Sequence, residues 1–462
     1  ACHLNYSEKG KRHHLAYKHG NKQEDLLPKL HPSLDLKISN DHCFGCHSRS
    51  GRISTNYEGW HETLLDESDV TGKEGYRILQ DKRVFEFISE DVHHKAGMNC
   101  IDCHNSYETM GDGSIYLHQE QAVKIRCDDC HFTQKPQLIG YNELDTESKK
   151  IFDLRKFGHK DKRMVRGKHS DIALINTFVK DDSAFMIGKN SGRIHPMNPP
   201  PAICTREAHK NLTCSACHTA WAPQCVGCHN EFDKNAAGYD LLAGHPLTGS
   251  WVEFVGKFLA EPPTLGVWGG EKKQVSPAIP GMVMTIDKSS YSSVDSQSSD
   301  ESGAIFHRLF APTTPHTTSI KGRTCKSCHN EPLAIGYGRG ELVYHIDLLG
   351  SQPPGARANL TGQGQWSFKP KYAANKYDGL PEDAWIEFRL HSSDDSESSD
   401  EYHRATRTDF RPFTLEEQKR ILRVGACLTC HEENSEVMLK SLDGDFEEYL
   451  KGITPECILP EY

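Results

Sequence analysis

One pentapeptide, Cys-x-x-Cys-His, occurs seven times in this chain of 462 residues and constrains its fold more than any other feature. It accounts for fourteen of the 17 cysteines, and every Cys-x-x-Cys in the sequence is followed by histidine. Coincidence therefore does not explain the pattern. In chain order the first to seventh pentapeptides are Cys43-Phe-Gly-Cys46-His47, Cys100-Ile-Asp-Cys103-His104, Cys127-Asp-Asp-Cys130-His131, Cys214-Ser-Ala-Cys217-His218, Cys225-Val-Gly-Cys228-His229, Cys325-Lys-Ser-Cys328-His329 and Cys427-Leu-Thr-Cys430-His431.

The spacing within the pentapeptide suits covalent attachment of a porphyrin. Two thiols at this spacing lie on one side of a helical turn, so both can bond to the two vinyl groups of one haem. The next residue then places its imidazole under the iron as the proximal ligand. Because Cys-x-x-Cys-His is the attachment signature of c-type haem, the sequence predicts seven haems c with their iron. The predicted proximal ligands are His47, His104, His131, His218, His229, His329 and His431.

Other uses of cysteine fit the pattern less well. Zinc sites pair Cys-x-x-Cys with a second such pair or with a distant pair of histidines, and they need no histidine beside the cysteine. Small disulfide loops and thioredoxin-like redox motifs are the remaining alternatives, and the latter expect a βαβ setting.

The first residues suggest an eighth haem. Cys2-His3 matches the end of a pentapeptide whose first cysteine would precede residue 1, with Cys2 as a thioether cysteine and His3 as a proximal ligand. A coincidental pair or a motif with a longer loop are the alternatives. Cys204 and Cys457 stay unassigned, because a disulfide between them, a buried thiol and a link to another chain are all open.

Histidine is abundant enough to supply distal ligands as well. Neutral imidazole binds iron, and two of them fill both axial positions, which leaves an iron that exchanges electrons without binding substrate. Several histidines stand a few residues before a pentapeptide, and others lie near glycine or arginine; for any one of them a solvated surface histidine is the alternative. The candidate distal ligands are His61, His94, His118, His169, His209, His245, His307, His316 and His403.

Composition narrows the class of protein. Hydrophobic residues make up 36% of the chain, whereas globular domains usually carry about 45–50% on a count that includes glycine. Porphyrins would fill the difference. The net charge of −10 argues against a nucleic-acid partner, since such proteins present basic surfaces. No run of 18 or more apolar residues predicts a membrane span. The start at Ala1 predicts a processed or incomplete N-terminus, with any export signal upstream.

Spacing predicts three regions along the chain. Residues 1–140 hold three pentapeptides and the partial motif, 141–245 a closely spaced haem pair, and 246–462 two pentapeptides. The last region also carries two acidic serine tracts, 292–301 and 392–401, which are predicted to be solvated loops. A capping box at Thr414 and Glu417 predicts a helix leading into Cys427, and small strands or hairpins are predicted around 172–185.

The histidines His94, His209 and His316 precede three of these pentapeptides, and the segment Cys214-Ser-Ala-Cys-His-Thr-Ala-Trp-Ala-Pro-Gln-Cys225 joins the fourth to the fifth. By these features and by the pentapeptides themselves, the chain resembles the multihaem c-type cytochromes of respiring bacteria and archaea. The resemblance covers most of the chain. It implies a mostly irregular fold with short α-helices and a few small β-hairpins, organised around a chain of stacked haems. It also implies an extracytoplasmic location, periplasmic, cell-surface or extracellular.

The resemblance implies electron transfer through seven to eight mainly bis-histidine haems, toward other redox proteins or extracellular acceptors. Some relatives polymerise into conductive filaments, so self-polymerisation is a variant of this hypothesis. The alternative is an oxidoreductase acting on a small nitrogen or sulfur compound at one haem with an open or lysine-ligated position. No Cys-x-x-Cys-Lys is present, which disfavours a lysine as proximal ligand.

Overall fold

The computed structural model describes residues 4–5, 33–34, 37–47, 53–79, 81–270, 273–279, 283–287, 304–308, 311–348, 362–370, 407–444, 446–452 and 457–460. The chain folds as two compact units. The first unit comprises Ala1–Ser48 and His93–Ala202, and the second comprises Arg49–Val92 and Ile203–Tyr462.

The helices are short. In chain order they are α1 (Asn40–His47), α2 (Ile53–Tyr57), α3 (Glu67–Val70), α4 (Val92–Lys95), α5 (Cys100–Cys103), α6 (Ser106–Thr109), α7 (Gln119–Ala122), α8 (Thr146–Arg155), α9 (Cys214–His218), α10 (Lys326–His329), α11 (Pro332–Ile335), α12 (Leu415–Cys427), α13 (Glu436–Lys440) and α14 (Phe446–Lys451). Single 3-10 turns lie at Cys127–Asp129, Tyr141–Glu143, Ala202–Thr205 and Glu207–His209.

The strands form small sheets, with two long exceptions. They are β1 (Leu4–Asn5), β2 (Ser33–Leu34), β3 (Trp60–Glu62), β4 (Tyr76–Ile78), β5 (Val84–Phe87), β6 (Leu138–Ile139), β7 (Met164–Arg166), β8 (Ala173–Leu174), β9 (Thr177–Lys180), β10 (Ser183–Ile187), β11 (Ile194–Pro196), β12 (Ala222–Asp240), β13 (His245–Glu261), β14 (Thr264–Trp268), β15 (Val275–Ile279), β16 (Val283–Asp287), β17 (Ala304–Arg308), β18 (Ala311–Pro312), β19 (Gly340–Leu348), β20 (Gly362–Pro370) and β21 (Phe410–Arg411).

The first unit contains two antiparallel three-stranded sheets, β6-β7-β8 and β11-β10-β9, and the pair β1-β2. Buried Val165, Met186 and Met197 belong to its main apolar cluster, against which Cys103 and Cys130 of the second and third pentapeptides pack. The pentapeptides therefore lie beside this core. The hairpin β9-β10 overlaps the segment for which the sequence predicts small strands and extends two residues beyond it, so the prediction of a hairpin there is confirmed.

The second unit contains two four-stranded sheets, β13-β12-β16-β17 and β18-β15-β14-β21, together with β3-β5-β4 and β19-β20. All pairings are antiparallel except β12 with β16. Its apolar clusters include Trp366 and Leu422 and, separately, Ala216, against whose cluster Cys328 packs. Here too, a cysteine of a pentapeptide borders the core.

The helix predicted before the last pentapeptide is present. Helix α12 begins after Thr414, whose hydroxyl accepts the Glu417 amide at 3.3 Å, while the Glu417 carboxylate accepts the Thr414 amide at 2.8 Å. This reciprocal pair satisfies two amides at the helix start that have no partner within the helix. The helix ends at Cys427 and so delivers the seventh pentapeptide, as predicted.

The hairpin of β12 and β13 is longer than the small hairpins expected from the sequence, at 19 and 17 residues. Trp251, Val252 and Phe254 lie in β13, and aromatic and β-branched residues favour strands. Within the described residues, no helix has the length and apolar character to cross a membrane. The stacked-haem architecture, the three regions along the chain and the eighth haem stay predictions. The acidic tracts at 292–301 and 392–401 lie outside the described residues.

Candidate functional site

Most pentapeptides form a single helical turn. The amide of the histidine donates to the carbonyl of the first cysteine in the second, third, sixth and seventh copies, at 3.0, 2.8, 2.8 and 2.9 Å. The fourth copy is helix α9, and the first lies in helix α1. A helical turn places residues three apart on one face, which is the arrangement that two thioether bonds to one porphyrin require.

The fifth pentapeptide differs, because its backbone lies in strand β12. The strand opposite has phenylalanine or valine at the positions paired with Cys225, Cys228 and His229, and these residues favour extended pairing. The side chains of 225–229 lie outside the described residues. The predicted haem at this copy, and its close pairing with the fourth, therefore stay predictions.

The turns are capped in two ways. In the second and third copies an aspartate inside the pentapeptide reaches back to the amide that precedes it: Asp102 accepts from Asn99 at 2.7 Å, and Asp129 from Arg126 at 2.8 Å. In the fourth copy the preceding Thr213 instead accepts the Ala216 amide at 3.3 Å. The aspartate caps are almost fully buried, so they are structural parts of the turn.

A second amide completes each aspartate cap, and it comes from a repeated loop. Asp102 accepts the Lys189 amide at 2.6 Å, and Asp129 accepts the Lys168 amide at 2.7 Å. Each lysine follows a glycine whose amide donates at 2.8 Å to a carbonyl five residues later. The two loops, here called hairpin clamps, are 167–172 and 188–193, and both read Gly-Lys-x-Ser.

The glycine of each hairpin clamp is required by close approach. A Cβ atom at Gly167 would lie 2.6 Å from the Ser170 hydroxyl oxygen, and one at Gly188 would collide with the Ser191 hydroxyl. A side chain at either position would require that serine hydroxyl to move. The shared sequence and shared hydrogen bonds make the two clamps a structural repeat within the first unit.

Four pentapeptide histidines are anchored through Nδ1. His131 donates to the Asn198 carbonyl at 2.8 Å, His218 to the Ser319 carbonyl at 2.9 Å, and His329 to the Ile421 carbonyl at 2.9 Å. His104 pairs with the Glu108 carboxylate at 3.1 Å. A carbonyl only accepts, so Nδ1 carries the proton and Nε2 the lone pair. Metal-binding histidines in proteins show the same second hydrogen bond.

Two of these histidines face a second imidazole. The ring centres of His93 and His131 lie 6.2 Å apart, and those of His209 and His329 lie 6.4 Å apart. Two imidazoles on opposite sides of one metal ion have ring centres roughly 6.3 Å apart, given metal–nitrogen bonds of about 2.0–2.1 Å. Both pairs therefore have the ring separation that two axial ligands of one haem iron would have.

Burial keeps one of these pairs neutral. It lowers the pKa of His329 to about 4, and the neighbouring His209 adds to the effect, although the hydrogen bond to Ile421 opposes it. The pKa of His209 is also lowered by burial. Both imidazoles are uncharged at neutral pH, and the uncharged form is the one that binds metal.

Three further histidines have a buried ring nitrogen without a partner among the described residues: Nε2 of His61, Nδ1 of His159 and Nε2 of His195. His61 is 5% exposed and hydrogen-bonds the backbone of Phe258, the residue paired with Cys225 across the sheet. Burial lowers the pKa of all three imidazoles. A buried nitrogen that lacks a hydrogen bond is costly, and metal binding would remove that cost.

The other candidate distal ligands lie in varied surroundings. His94 is in α4 next to His93, and His118 precedes α7. His169 donates to Asp128 at 2.9 Å, while exposed His245 and partly buried His316 hydrogen-bond the nearby carbonyls of Pro246 and Thr314. These contacts do not bring them to a pentapeptide histidine. The side chains of Cys2, His3, Cys46, His307 and His403 lie outside the described residues.

No family model, no curated protein and no solved structure matches this chain. Among the described residues, no three His, Cys, Asp or Glu side chains converge as they would around a bare metal ion. A haem iron needs only two protein ligands, because the porphyrin supplies four, so a pair of imidazoles is the relevant feature.

Neighbouring pentapeptides meet within each unit. In the first unit the thiol of Cys43 hydrogen-bonds that of Cys100, and Cys103 and Cys130 pack on one apolar cluster. In the second unit the Arg323 amide donates to the Cys217 carbonyl at 2.8 Å, just before the sixth pentapeptide. The fourth copy thus lies next to the sixth. Cys204 and Cys457 are exposed, with free thiols.

Several residues at the site were missed in the sequence. The sequence predicts His94 as a distal ligand, whereas the ring that lies near His131 is that of His93; the doubled histidine is the signal that could have pointed to both. The caps Asp102 and Asp129 could have been found from the Cys-x-Asp-Cys-His pattern that only the second and third copies share. Lys168 and Lys189 could have been found from the repeated Gly-Lys-x-Ser.

Proposed function

We propose that this protein transfers electrons through a chain of seven to eight covalently bound haems c, most of them held between two histidines. The observation that carries the proposal is the pairing of His329 with His209, and of His131 with His93, at the separation that two ligands of one iron require.

Each residue type has a distinct part in this proposal. The two cysteines of a pentapeptide would form the thioether bonds, and the adjacent histidine would bind the iron through Nε2. Anchoring of Nδ1, as at His131 and His218, fixes the ring and its tautomer before metal binding. A haem iron with two imidazole ligands exchanges one electron without binding substrate.

The contacts between pentapeptides support transfer along a series. In the first unit the first copy touches the second, and the second shares an apolar cluster with the third. In the second unit the fourth copy lies next to the sixth, whose histidine is anchored on α12, the helix of the seventh. Such neighbours would keep successive haems close without following strict chain order.

The partners in this proposal are other redox proteins or extracellular acceptors, and the location is extracytoplasmic, as the resemblance to multihaem cytochromes implies. Self-assembly into a filament is the variant in which a second copy is the partner. Light scattering at high concentration separates the two, since a carrier of soluble partners stays monodisperse.

The decisive experiment combines a haem count with the spin state of the iron. Mass spectrometry and the pyridine haemochrome assay are expected to give at least seven haems per chain, and low-temperature EPR is expected to show mostly low-spin ferric iron. A colourless protein would refute the proposal. A large high-spin fraction, with turnover of nitrite, hydroxylamine or tetrathionate, would favour the oxidoreductase instead.

A further inference from the structure

The two hairpin clamps of the first unit are equivalent in backbone and differ in the direction of one side chain. Both place a lysine amide on the buried aspartate of a pentapeptide. The lysine side chains that follow then take opposite courses, one toward the interior and one toward solvent. Because the surrounding hydrogen bonds repeat, this difference isolates the effect of a single charge.

Lys189 turns inward against the second pentapeptide. Its ammonium group donates to the carbonyl of Ile101 and, at 3.3 Å, to the carbonyl of His104. Both carbonyls belong to the turn that would carry the haem. Lys189 is partly buried, and its ammonium lies among these backbone acceptors.

The acidic groups near Lys189 are occupied by other donors. The Asp102 carboxylate accepts two backbone amides, and the Glu108 carboxylate accepts amides from Asn105 at 2.9 Å and Ile125 at 2.8 Å. The Arg155 guanidinium, which donates to the Lys189 carbonyl at 3.2 Å, adds a second cation. These hydrogen bonds leave both carboxylates charged, so Lys189 and Arg155 together balance Asp102 and Glu108, and the second pentapeptide carries no excess of negative charge.

Lys168 turns outward at the third pentapeptide. Its side chain is 62% exposed, and its ammonium pairs with the Asp128 carboxylate at 2.8 Å. With Asp128 and Asp129 both in this copy, one cation faces two carboxylates. Water screens an exposed charge far more strongly than a buried one, so Lys168 would act weakly on a haem at this copy.

We propose that Lys189 sets the reduction potential of the haem at Cys100–His104 above that of the haem at Cys127–His131. The proposal rests on the proposed function. A fixed cation stabilises the iron in the reduced state, whose charge is lower by one unit, and local charge and burial are among the factors by which a protein sets haem potentials. Electrons would then pass preferentially toward the second pentapeptide.

The test is a potentiometric titration of the intact holoprotein followed by EPR and visible spectra. Each haem is identified by the variant of its own histidine, His104→Met or His131→Met. In Lys189→Gln, which keeps a donor for the two carbonyls, the ratio of oxidised to reduced haem at Cys100–His104 is expected to rise about tenfold at fixed potential, which is a shift of about 59 mV to lower potential.

The matched control is Lys168→Gln, which removes the equivalent lysine of the other clamp. It is expected to change the ratio of oxidised to reduced haem at Cys127–His131 less than twofold. Lys189→Arg keeps the charge and is expected to restore the wild-type potential. Equal shifts of the two reduction potentials in the glutamine variants would overturn the proposal. So would an unchanged potential in Lys189→Gln when the haem at Cys100–His104 is attached.

The wild-type protein provides a test that needs no folded Lys189 variant. The haem at Cys100–His104 is expected to be reduced before the haem at Cys127–His131 as the potential falls, and the reverse order would refute the role of Lys189. Absence of haem from both peptides in the mass spectrum would refute the proposed function itself, so the two failures are distinguishable.

Discussion

The imidazole of His209 lies 6.4 Å from that of His329, the last residue of the sixth pentapeptide, and the planes of the two rings are inclined by 35°. His209 precedes the fourth pentapeptide in sequence but faces the sixth in space. His329 is held by its hydrogen bond to Ile421, so the approach of His209 completes an arrangement that one iron can bridge.

Replacement of His209 by alanine is expected to convert one haem from low-spin to high-spin, because its iron would lose the sixth ligand. Low-temperature EPR measures the change as one haem equivalent of new high-spin signal. His245→Ala is the control, since His245 is exposed at the tip of the β12-β13 hairpin and hydrogen-bonds the neighbouring Pro246 carbonyl. An unchanged spectrum in His209→Ala would contradict the assignment.

The adjacent histidines of α4 give a sharper comparison. His93 faces His131 at 6.2 Å, so His93→Ala is expected to produce one high-spin haem. His94→Ala is expected to leave the spin state unchanged, although it removes the same side chain one position away. Resonance Raman spectra, which report spin and coordination state, would decide between the two. A high-spin haem in His94→Ala alone would reverse the assignment.

The buried cap of the third pentapeptide should stabilise the first unit. Asp129→Asn keeps the shape but loses one acceptor, so the Arg126 or Lys168 amide would be buried without a partner, at a cost of about 1–3 kcal/mol. Chemical denaturation followed by the Soret absorbance measures the loss. Asp128→Asn is the matched control in the same pentapeptide, because its carboxylate is partly exposed, and it should change stability by less than about 1 kcal/mol.

Glu417 predicts an acid-sensitive contribution to stability. Burial alone would raise its pKa, but the hydrogen bonds from Arg411 and the Thr414 amide outweigh burial and hold the pKa below the usual value of 4.5. A lowered carboxyl pKa stabilises the folded state above the unfolded-state pKa, and this contribution is lost as the pH falls through the folded-state pKa.

We expect Glu417→Gln to be about 1 kcal/mol less stable than the wild type at pH 7 and to approach it as the pH falls below 4.5. Denaturation midpoints across this range provide the measurement. Glu416→Gln is the control in the same helical turn, since the Glu416 side chain is 77% exposed. A difference that stays constant with pH would rule out the charge as its source.

Local signals in the sequence predicted local structure. The capping box at Thr414 and Glu417 located the start of α12, because its two hydrogen bonds join residues three apart. The single-turn pentapeptides also follow from spacing alone. The strand conformation of the fifth copy could not be predicted this way, because it depends on pairing with β13, a distant segment.

Pairs formed over long distances were beyond the sequence. Nothing near His209 indicates that its ring meets His329 rather than a histidine of the fourth pentapeptide. The choice between His93 and His94 depends on which side of α4 faces inward, and a helix of four residues has too few apolar positions to fix that side. The aspartate caps needed partners supplied by loops far along the chain.

If the chain binds haem as proposed, the hairpin clamps would also favour an order of maturation. The amide that closes on Asp129 comes from a residue 39 positions later, whereas the one that closes on Asp102 comes 87 positions later. In a chain that is synthesised from the N-terminus, the Lys168 amide can therefore cap Asp129 in the third turn before Lys189 is available to cap Asp102 in the second. The enzymes that attach the porphyrin would have more time to reach Cys100 and Cys103 than their counterparts in the next turn.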